Sequence, residues 1–334
     1  MQHNSQINWL SILRGLTIVL VLTYHVRLLD TSTGECYQWI LEIGKAFKAF
    51  RMPTFVMISG ALLYYTRISK NWSTISLYKD KIIRIGLPLV FCTCIGNLMQ
   101  LIFNGYVKTP KEVTLPLFFK SFVESSSTPW PHRWYLMVLI LMMTLYPLYR
   151  YILRNKTLAL MMLLVLFILE QFDISSMVET NWFCLFSLNK YLPYFFLGMV
   201  IFRYQWYRNL DRWYLALPLW LVYYLLLKNE CENNIIGTLI GSTAMVSTAM
   251  LADRLMPTLC SSFRQYIFQI YLFGIVFQSF VELILWRRLA GCPDNFVVLF
   301  WCLSMLSGIY MPVLLSKFVE KIPYRPIRLC FGLK

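Results

Sequence analysis

The stretch INWLSILRGLTIVLVLTYHVRL, residues 7–28, is long and apolar enough to cross a lipid bilayer as one helix. A helix needs about 20 mostly apolar residues for that crossing. Two side chains depart from a lipid-facing pattern, because Arg14 carries a permanent cation and His25 a titratable imidazole. An ionised side chain inside the bilayer costs at least about 2.5 kcal/mol on insertion scales, so a partner or a polar cavity must compensate. The stretch therefore predicts a membrane helix that carries part of a polar site.

The rest of the chain has the composition of a membrane protein. Its 334 residues are 58% hydrophobic and 17% aromatic, and apolar runs recur from one end to the other. This pattern predicts an all-α, polytopic membrane protein, a bundle of about ten transmembrane helices that forms a single domain, residues 1–334. The predicted spans lie near residues 7–28, 46–65, 84–106, 134–153, 157–172, 183–202, 212–228, 235–252, 263–286 and 295–318.

The net charge of +15 is distributed unevenly between alternate loops. If the N-terminus is cytoplasmic, nearly all of the excess Lys and Arg falls in cytoplasmic loops, as the positive-inside rule requires. Ten crossings then place both termini in the cytoplasm. This distribution accounts for the charge without a nucleic-acid partner. No cleavable signal sequence is recognisable, so we expect the first segment to remain as a signal anchor.

Arg14 and His25 are eleven residues apart, which corresponds to about three helical turns and about 16 Å along the axis. Both side chains are therefore expected on nearly the same helix face, looking into one cavity at two depths. Separately, Arg14 also suits a snorkelling arginine, and His25 an interfacial histidine bonded to a carbonyl. Together they favour a functional site, since ionisable residues within membranes are functional by default.

Three further basic residues lie before the third span, in YKDKIIRIGLP, residues 78–88. Lys79, Lys81 and Arg84 are predicted at the cytoplasmic mouth of the bundle. Such a group usually enforces topology. It also suits the phosphates of a nucleotide-containing cofactor that arrives from the cytosol.

Candidates on the outer side come from two other spans. Arg51 opens the second span in FRMPTFVMISG, residues 50–60, with Pro53 expected in the first helical turn, where proline is tolerated. Arg51 also suits a headgroup anchor. His132 and Trp134 precede or begin the fourth span, and His132 is expected at the depth of His25.

The combination of LRGLTIVLVLTYH (13–25) with FRMPTFVMISGALLY (50–64) resembles the integral-membrane acyltransferase family 3. This family includes sugar O-acetyltransferases of bacterial envelopes. Arg14 and His25 match the Arg-x10-His signature of its first span. The similarity continues through RIGLPLVF (84–91), PHRWYLMVLILMMTLYPL (131–148) and YLPYFFLGMVIF (191–202), and so covers most of the chain.

Two positions depart from the family pattern. Ser11 stands where the family often has an aspartate, three residues before the signature arginine. Gly274 follows Ile270 and Tyr271 where a late Ile-Tyr-x-x-His motif has its histidine. Any role of that histidine is therefore not transferred to this chain.

The resemblance implies transfer of an acetyl or other short acyl group from cytosolic acyl-CoA, such as acetyl-CoA, to a hydroxyl of an extracytoplasmic or lipid-linked polysaccharide. It implies a multi-pass protein in the bacterial inner membrane, with CoA as co-substrate and no metal. Nine scattered cysteines agree, since they lack the spacing of metal ligands. Direct transfer is preferred to an acyl-enzyme, with Ser59 as a possible exception. The expected catalytic residues are His25 and Arg14, the cofactor-binding residues Arg14, Lys79, Lys81 and Arg84, and the acceptor-binding residues Arg51, His132 and Trp134.

Two other classes of protein stay open. A transporter or flippase for a lipid-linked sugar or small molecule would also be a basic bundle of about ten spans. Transporters typically carry acidic residues within the membrane, whereas Glu170 and Glu282 lie near the ends of predicted spans. A structural scaffold subunit is the third class. The acceptor glycan is also open, between capsule, lipopolysaccharide, a secreted polysaccharide and an undecaprenyl-linked sugar.

Overall fold

The computed structural model describes residues 2–29, 35–104, 112, 114–125, 130–172, 181–286, 288 and 296–333. Helices dominate these ranges, and an isolated β-bridge pairs Leu29 with Cys36. The predicted all-α class is confirmed. The α-helices of the described ranges are α1 Gln2–His25, α2 Gln38–Ala46, α3 Lys48–Leu63, α4 Thr74–Lys81, α5 Leu87–Phe103, α6 Leu115–Val123, α7 Trp134–Thr144, α8 Tyr146–Ile152, α9 Lys156–Glu170, α10 Leu185–Arg203, α11 Ala216–Lys228, α12 Ile235–Leu255, α13 Ile267–Phe280, α14 Val297–Glu320 and α15 Arg325–Cys330.

Several helical segments of the described chain are long and apolar enough to cross a membrane. Five pass on their own, and they are Thr74–Ile102, Trp182–Arg203, Ile235–Leu255, Arg264–Trp286 and Val297–Glu320. Two more pass if each bent pair forms one span, namely α2 with Lys48–Ile68, bent by 44°, and α7 with α8, bent by 54°. The other predicted spans fall on α1, α9 and α11. Ten crossings and cytoplasmic termini therefore stay predictions, and the span ends predicted at 105–106 and 295 lie outside the described residues.

The chain divides into two compact units. Unit one contains Met1–Ile58 and Tyr204–Lys317, and unit two contains Ser59–Arg203 and Phe318–Lys334. In unit one, α1 packs against α2, α12 and α13. Its buried apolar side chains include Ile12, Leu13, Ile18 and Leu22, which lie on more than one face of the helix. Much of the opening stretch is thus surrounded by protein.

Small residues bring the helices of unit one close together. A Cβ atom on Gly241 would lie 2.3 Å from the Phe50 ring, and a Cβ on Gly274 would lie 2.7 Å from the carbonyl oxygen of Gly308. Glycines at such contacts let helix backbones approach where apolar surface alone gives no preference for protein over lipid. These positions fix how α12, α13 and α14 pack within the unit.

Unit two is built around α7 and α10. Tyr146 and Tyr149 of α8 are buried together with Tyr194, Phe195 and Phe196 of α10. The Tyr149 ring lies 6.0 Å from Phe195 and 5.9 Å from Phe196 between ring centres. Aromatic pairs at this separation add to the stability that their buried area provides.

In the described part of the chain, three π-helical turns interrupt or extend the helices, at Tyr64–Ile68, Ile82–Gly86 and Val281–Trp286. Such turns are rare and are frequent at functional sites. The proline prediction for the second span is wrong, because α3 begins at Lys48 and so has Pro53 in its interior. Pro88 likewise lies inside a continuous helical segment, Thr74–Ile102, just after the turn Ile82–Gly86.

Candidate active site

Helix α1 places Arg14 in its interior and His25 at its last residue, and both side chains are half-buried. The segment after His25 is held by the π-helical turn Val281–Trp286. The carboxylate of Glu282 accepts a hydrogen bond from the Arg27 amide at 3.0 Å, and the Trp286 indole donates to the Leu29 carbonyl at 2.7 Å. Glu282 is only 3% exposed. The end of α1, and with it His25, therefore has a defined position in unit one.

Arg51 approaches His25 through Tyr24. The Arg51 guanidinium lies over the Tyr24 ring, with Cζ 3.4 Å from the ring centre, and Tyr24 meets the imidazole of His25 edge-on at 5.4 Å. Arg51 is 7% exposed and also donates to the Gly44 carbonyl at 3.5 Å. A desolvated arginine over an aromatic face is stabilised by about 2 kcal/mol. Two of the predicted site residues of unit one, His25 and Arg51, thus both contact Tyr24.

A polar side chain of α13 lies against the same end of α1, and α14 carries another buried one. The Gln278 amide donates to the Leu22 carbonyl at 3.3 Å, and within the described residues its buried Oε1 has no hydrogen-bond partner. Ser304 is fully buried, and its hydroxyl likewise lacks a partner there. Buried polar atoms normally have partners, so each exception needs a reason. Sequence reasoning missed these two residues, because each stands singly within an apolar span.

The basic cluster predicted for a cofactor is organised by Asp80 in unit two. The Asp80 carboxylate pairs with Arg67 at 2.9 Å and with Arg84 at 2.8 Å. The Arg67 guanidinium also lies over the Trp72 ring at 3.5 Å. Arg84 and Arg67 each belong to a π-helical turn, Ile82–Gly86 and Tyr64–Ile68. The aspartate between Lys79 and Lys81 is therefore the centre of this group.

The three predicted cofactor-binding residues of this cluster differ in exposure. Lys79 and Arg84 are exposed, whereas Lys81 is half-buried. Because Arg84 already pairs with Asp80, its charge is partly compensated within unit two.

The predicted outer residues His132 and Trp134 both lie at the start of α7 in unit two. His132 is buried, with its ring 5.9 Å from Trp130, and Trp134 stacks on Tyr191 at 5.1 Å. The neighbouring Ser59 hydroxyl is 2.6 Å from that of Tyr135. This bond suits a packing role for Ser59 better than that of a nucleophile.

Arg133, between the two predicted residues, was missed by sequence reasoning. Its side chain is 1% exposed and donates to the Thr93 hydroxyl at 2.5 Å, to the Ser121 carbonyl and to the Glu124 carbonyl at 3.2 Å. Desolvation lowers the pKa of this guanidinium to about 10, so it stays charged at neutral pH. A cation between two aromatic residues in PHRWY gives no local signal of burial. The hydrogen bonds of Arg133 join the segment before α7 to α5 and α6, and so fix the positions of His132 and Trp134.

The structure thus divides the predicted site residues into two sets. Arg14, His25 and Arg51 belong to unit one, and the others belong to unit two. Within the described residues, no group of three or more His, Cys, Asp and Glu side chains is arranged to hold a metal ion.

The model of the acyltransferase family 3, described as an acyltransferase domain, matches residues 7–317. The chain therefore belongs to this family, and with its five to seven helices of membrane-crossing length in the described part it is an integral membrane protein of the acyltransferase class. The resemblance in the first spans is confirmed.

Two relatives carry the name glucans biosynthesis protein C, one from Salmonella typhi and one from Salmonella typhimurium. Each is 26% identical to this chain over 142 residues, which is 41% of this chain and 35% of the relative. The chain thus spans about a third of the length of these curated relatives. No solved structure matches the chain.

The departure at Gly274 has a structural reason. In unit one, a Cβ on Gly274 would lie 2.7 Å from the Gly308 carbonyl oxygen and 2.9 Å from a methyl group of Leu22. A histidine does not fit between α13, α14 and α1 in this packing. The late histidine of the family motif therefore has no equivalent at this position.

Proposed function

We propose that this protein transfers an acetyl or other short acyl group from cytosolic acyl-CoA to a hydroxyl of an extracytoplasmic or lipid-linked polysaccharide. The observation that carries the proposal is the family match over residues 7–317, in a chain whose Arg14 and His25 share helix α1. The name of the Salmonella relatives supports a polysaccharide as the acceptor.

His25 is assigned as the general base, because imidazole titrates near neutrality. The imidazole takes the proton of the acceptor hydroxyl while the hydroxyl oxygen attacks the thioester carbonyl carbon. The carbon–sulfur bond breaks as the new ester forms, and the leaving thiolate takes up the proton that His25 holds. CoA and the acylated sugar are the products, and no metal or redox partner is needed for the balance of this step.

Arg14 is assigned to the donor. A guanidinium binds phosphate or carbonyl oxygens through two parallel donors, and near a thioester it stabilises the negative charge that develops on oxygen. Its half-buried position on α1 supports contact with a substrate that enters the membrane. Lys79, Lys81 and Arg84 are assigned to the phosphates of the donor, with Asp80 orienting Arg84.

The acceptor residues are assigned as Arg51, His132 and Trp134. Arg51 gives the tyrosine beside His25 a fixed orientation, and His132 and Trp134 are set by the buried Arg133. Aromatic and imidazole side chains combine an apolar face with a polar edge, which suits a sugar. The excess of positive charge in alternate loops supports an inner-membrane protein with both termini in the cytoplasm.

The test is transfer by the purified protein in nanodiscs, supplied with acetyl-CoA or succinyl-CoA labelled in the acyl group and with a glucan or a lipid-linked sugar. We expect label in the glycan and one free CoA for each acyl group moved. A transporter, placed in sealed vesicles, would instead move the sugar across the bilayer without using any thioester. That result, with no CoA released for any donor, would overturn the proposal.

A further inference from the structure

A cavity of about 250 Å³ lies within unit two where three arginines meet. Arg150 belongs to α8, Arg154 follows that helix, and Arg203 is the last residue of α10. The described residues that line the cavity include Ser69 and Asn71 and no Asp or Glu. Its volume is several times the roughly 30 Å³ that one water molecule occupies in the liquid.

Two of the arginines are held in place by neutral groups. Arg150 donates to the Trp72 carbonyl at 3.2 Å. Arg203 donates through Nε to the Leu153 carbonyl at 3.2 Å and through Nη1 to the Tyr64 hydroxyl at 3.4 Å. These bonds fix the two side chains beside a lining whose described residues include no carboxylate. Preorganised cations of this kind bind an anion without first having to be ordered.

Arg154 provides the third charge. Its guanidinium has no hydrogen-bond or ion-pair partner in the described part of the chain. Basic residues at helix C-termini often only cap carbonyl groups, and Arg203 does so for Leu153. Arg154 makes no such contact with its side chain. Three like charges around one cavity repel one another, and an anion removes that cost.

We propose that this cavity is a binding site for a phosphate group, either a phosphomonoester or a diphosphate. Arginine is the side chain best suited to phosphate, because its planar fork donates two parallel hydrogen bonds. The amide of Asn71 adds neutral donors at the same cavity. The site is distinct from the cluster of Lys79, Lys81 and Arg84.

A chain of contacts joins the cavity to that cluster. Arg84 pairs with Asp80, Asp80 with Arg67, and Arg67 lies over the ring of Trp72, whose carbonyl accepts from Arg150. A donor such as acyl-CoA carries both a diphosphate and a ribose phosphate, so it needs two phosphate positions. This choice of ligand rests on the proposed function. The same chemistry also fits the headgroup of an anionic phospholipid.

The test uses the full chain in nanodiscs of phosphatidylcholine, with 3′,5′-ADP as the probe, because this nucleotide has phosphates and no thioester. Binding is measured by calorimetry for wild type, Arg154→Gln and Arg154→Glu. Arg208→Gln and Arg208→Glu are the matched controls, since Arg208 is also exposed and lies in a loop predicted on the same side. A second arm measures thermal stabilisation by added phosphatidylglycerol.

We expect the Arg154 variants to weaken binding of 3′,5′-ADP by about tenfold or more, as for one lost charge-assisted contact, and the Arg208 variants to leave it unchanged. If phosphatidylglycerol alone stabilises the protein in an Arg154-dependent way, the phosphate site stands and its ligand is a lipid. If neither probe depends on Arg154, the inference is overturned. If, in that last case, wild type and Arg154→Glu transfer acyl groups with equal KM, the proposed function still stands. If 3′,5′-ADP binds through Arg154 but no acyl-CoA is used, only the proposed function fails.

Discussion

The Cζ atom of Arg51 lies 3.4 Å from the centre of the Tyr24 ring, and Tyr24 directly precedes His25 in the chain. The contact joins the start of α3 to the end of α1 within unit one. An arginine that is 7% exposed at the predicted end of a membrane span has little contact with headgroups. Its position supports a role beside the imidazole over that of a lipid anchor.

Replacing Tyr24 tests this stack. Tyr24→Leu removes the aromatic face and leaves a buried cation with a weaker partner, which should cost about 1–2 kcal/mol of stability. It should also lower the rate of acyl transfer. Tyr24→Phe is the matched control, because it keeps the ring and loses only the hydroxyl. Thermal unfolding and turnover of both variants would be compared, and equal behaviour of Leu and Phe would rule out a role for the stack.

Gly274 should not tolerate a side chain. Gly274→Ala places a methyl group 2.7 Å from the Gly308 carbonyl oxygen, so we expect a loss of about 1–3 kcal/mol from overpacking. Gly274→His should prevent folding of unit one. Gly86→Ala is the control, since its Cβ would meet only Ile82 at 3.9 Å. Thermal unfolding decides, and a Gly274→Ala protein as stable as wild type would contradict the packing described for α13.

Removing the charge of Asp80 should lower the stability of the protein more than removing the charge of an exposed acidic residue. Asp80→Asn leaves Arg67 and Arg84 without their carboxylate, and both Asp80 and Arg67 are 14% exposed. We expect a loss of about 1–2 kcal/mol, between the values for surface and buried pairs. Asp211→Asn is matched, because the Asp211–Arg254 pair has side chains that are 50% and 48% exposed, and it should cost less than about 1 kcal/mol. Equal losses in chemical denaturation would remove Asp80 from the centre of its cluster.

We expect that the protein does not tolerate even a conservative substitution of Arg133. Arg133→Lys keeps the charge but cannot reach the Thr93 hydroxyl and the carbonyl groups of Ser121 and Glu124 together. Leaving buried acceptors unpaired costs about 1–3 kcal/mol. Arg154→Lys, at an exposed arginine, should be nearly neutral. The measurement is thermal unfolding of both variants, and a stable Arg133→Lys protein would show that the guanidinium fork is not required.

The helical segments could be predicted from the sequence because apolar length is a local property. The spans predicted near 183–202, 235–252 and 263–286 differ from the helical segments Trp182–Arg203, Ile235–Leu255 and Arg264–Trp286 by three residues or fewer at each end. The 54° bend between α7 and α8 and the π-helical turns were not predicted. They depend on how neighbouring helices pack, which no single window of sequence contains.

Of the candidate site, only features local in the sequence could be predicted. The spacing of Arg14 and His25 on one helix is local and was visible in the sequence. The pairing of Arg67 with Asp80 and the stack of Arg51 on Tyr24 join residues 13 or more positions apart and need the tertiary structure. The ion pair between Asp80 and Arg84, in contrast, could have been predicted from the sequence, because residues four positions apart on a helix lie next to each other.

The measurement that tests the central claim most directly is acyl transfer by wild type and His25→Gln between about pH 5.5 and 8.5, with CoA binding measured beside it. A general base must be neutral to accept a proton, so the wild-type rate should fall toward the acid end of this range as the imidazole becomes protonated. His25→Gln should stay folded, bind CoA as wild type does, and lose at least about a hundredfold in rate at every pH. If His25→Gln transfers acyl groups at the wild-type rate with the same pH profile, His25 is not the base and the proposed mechanism is wrong.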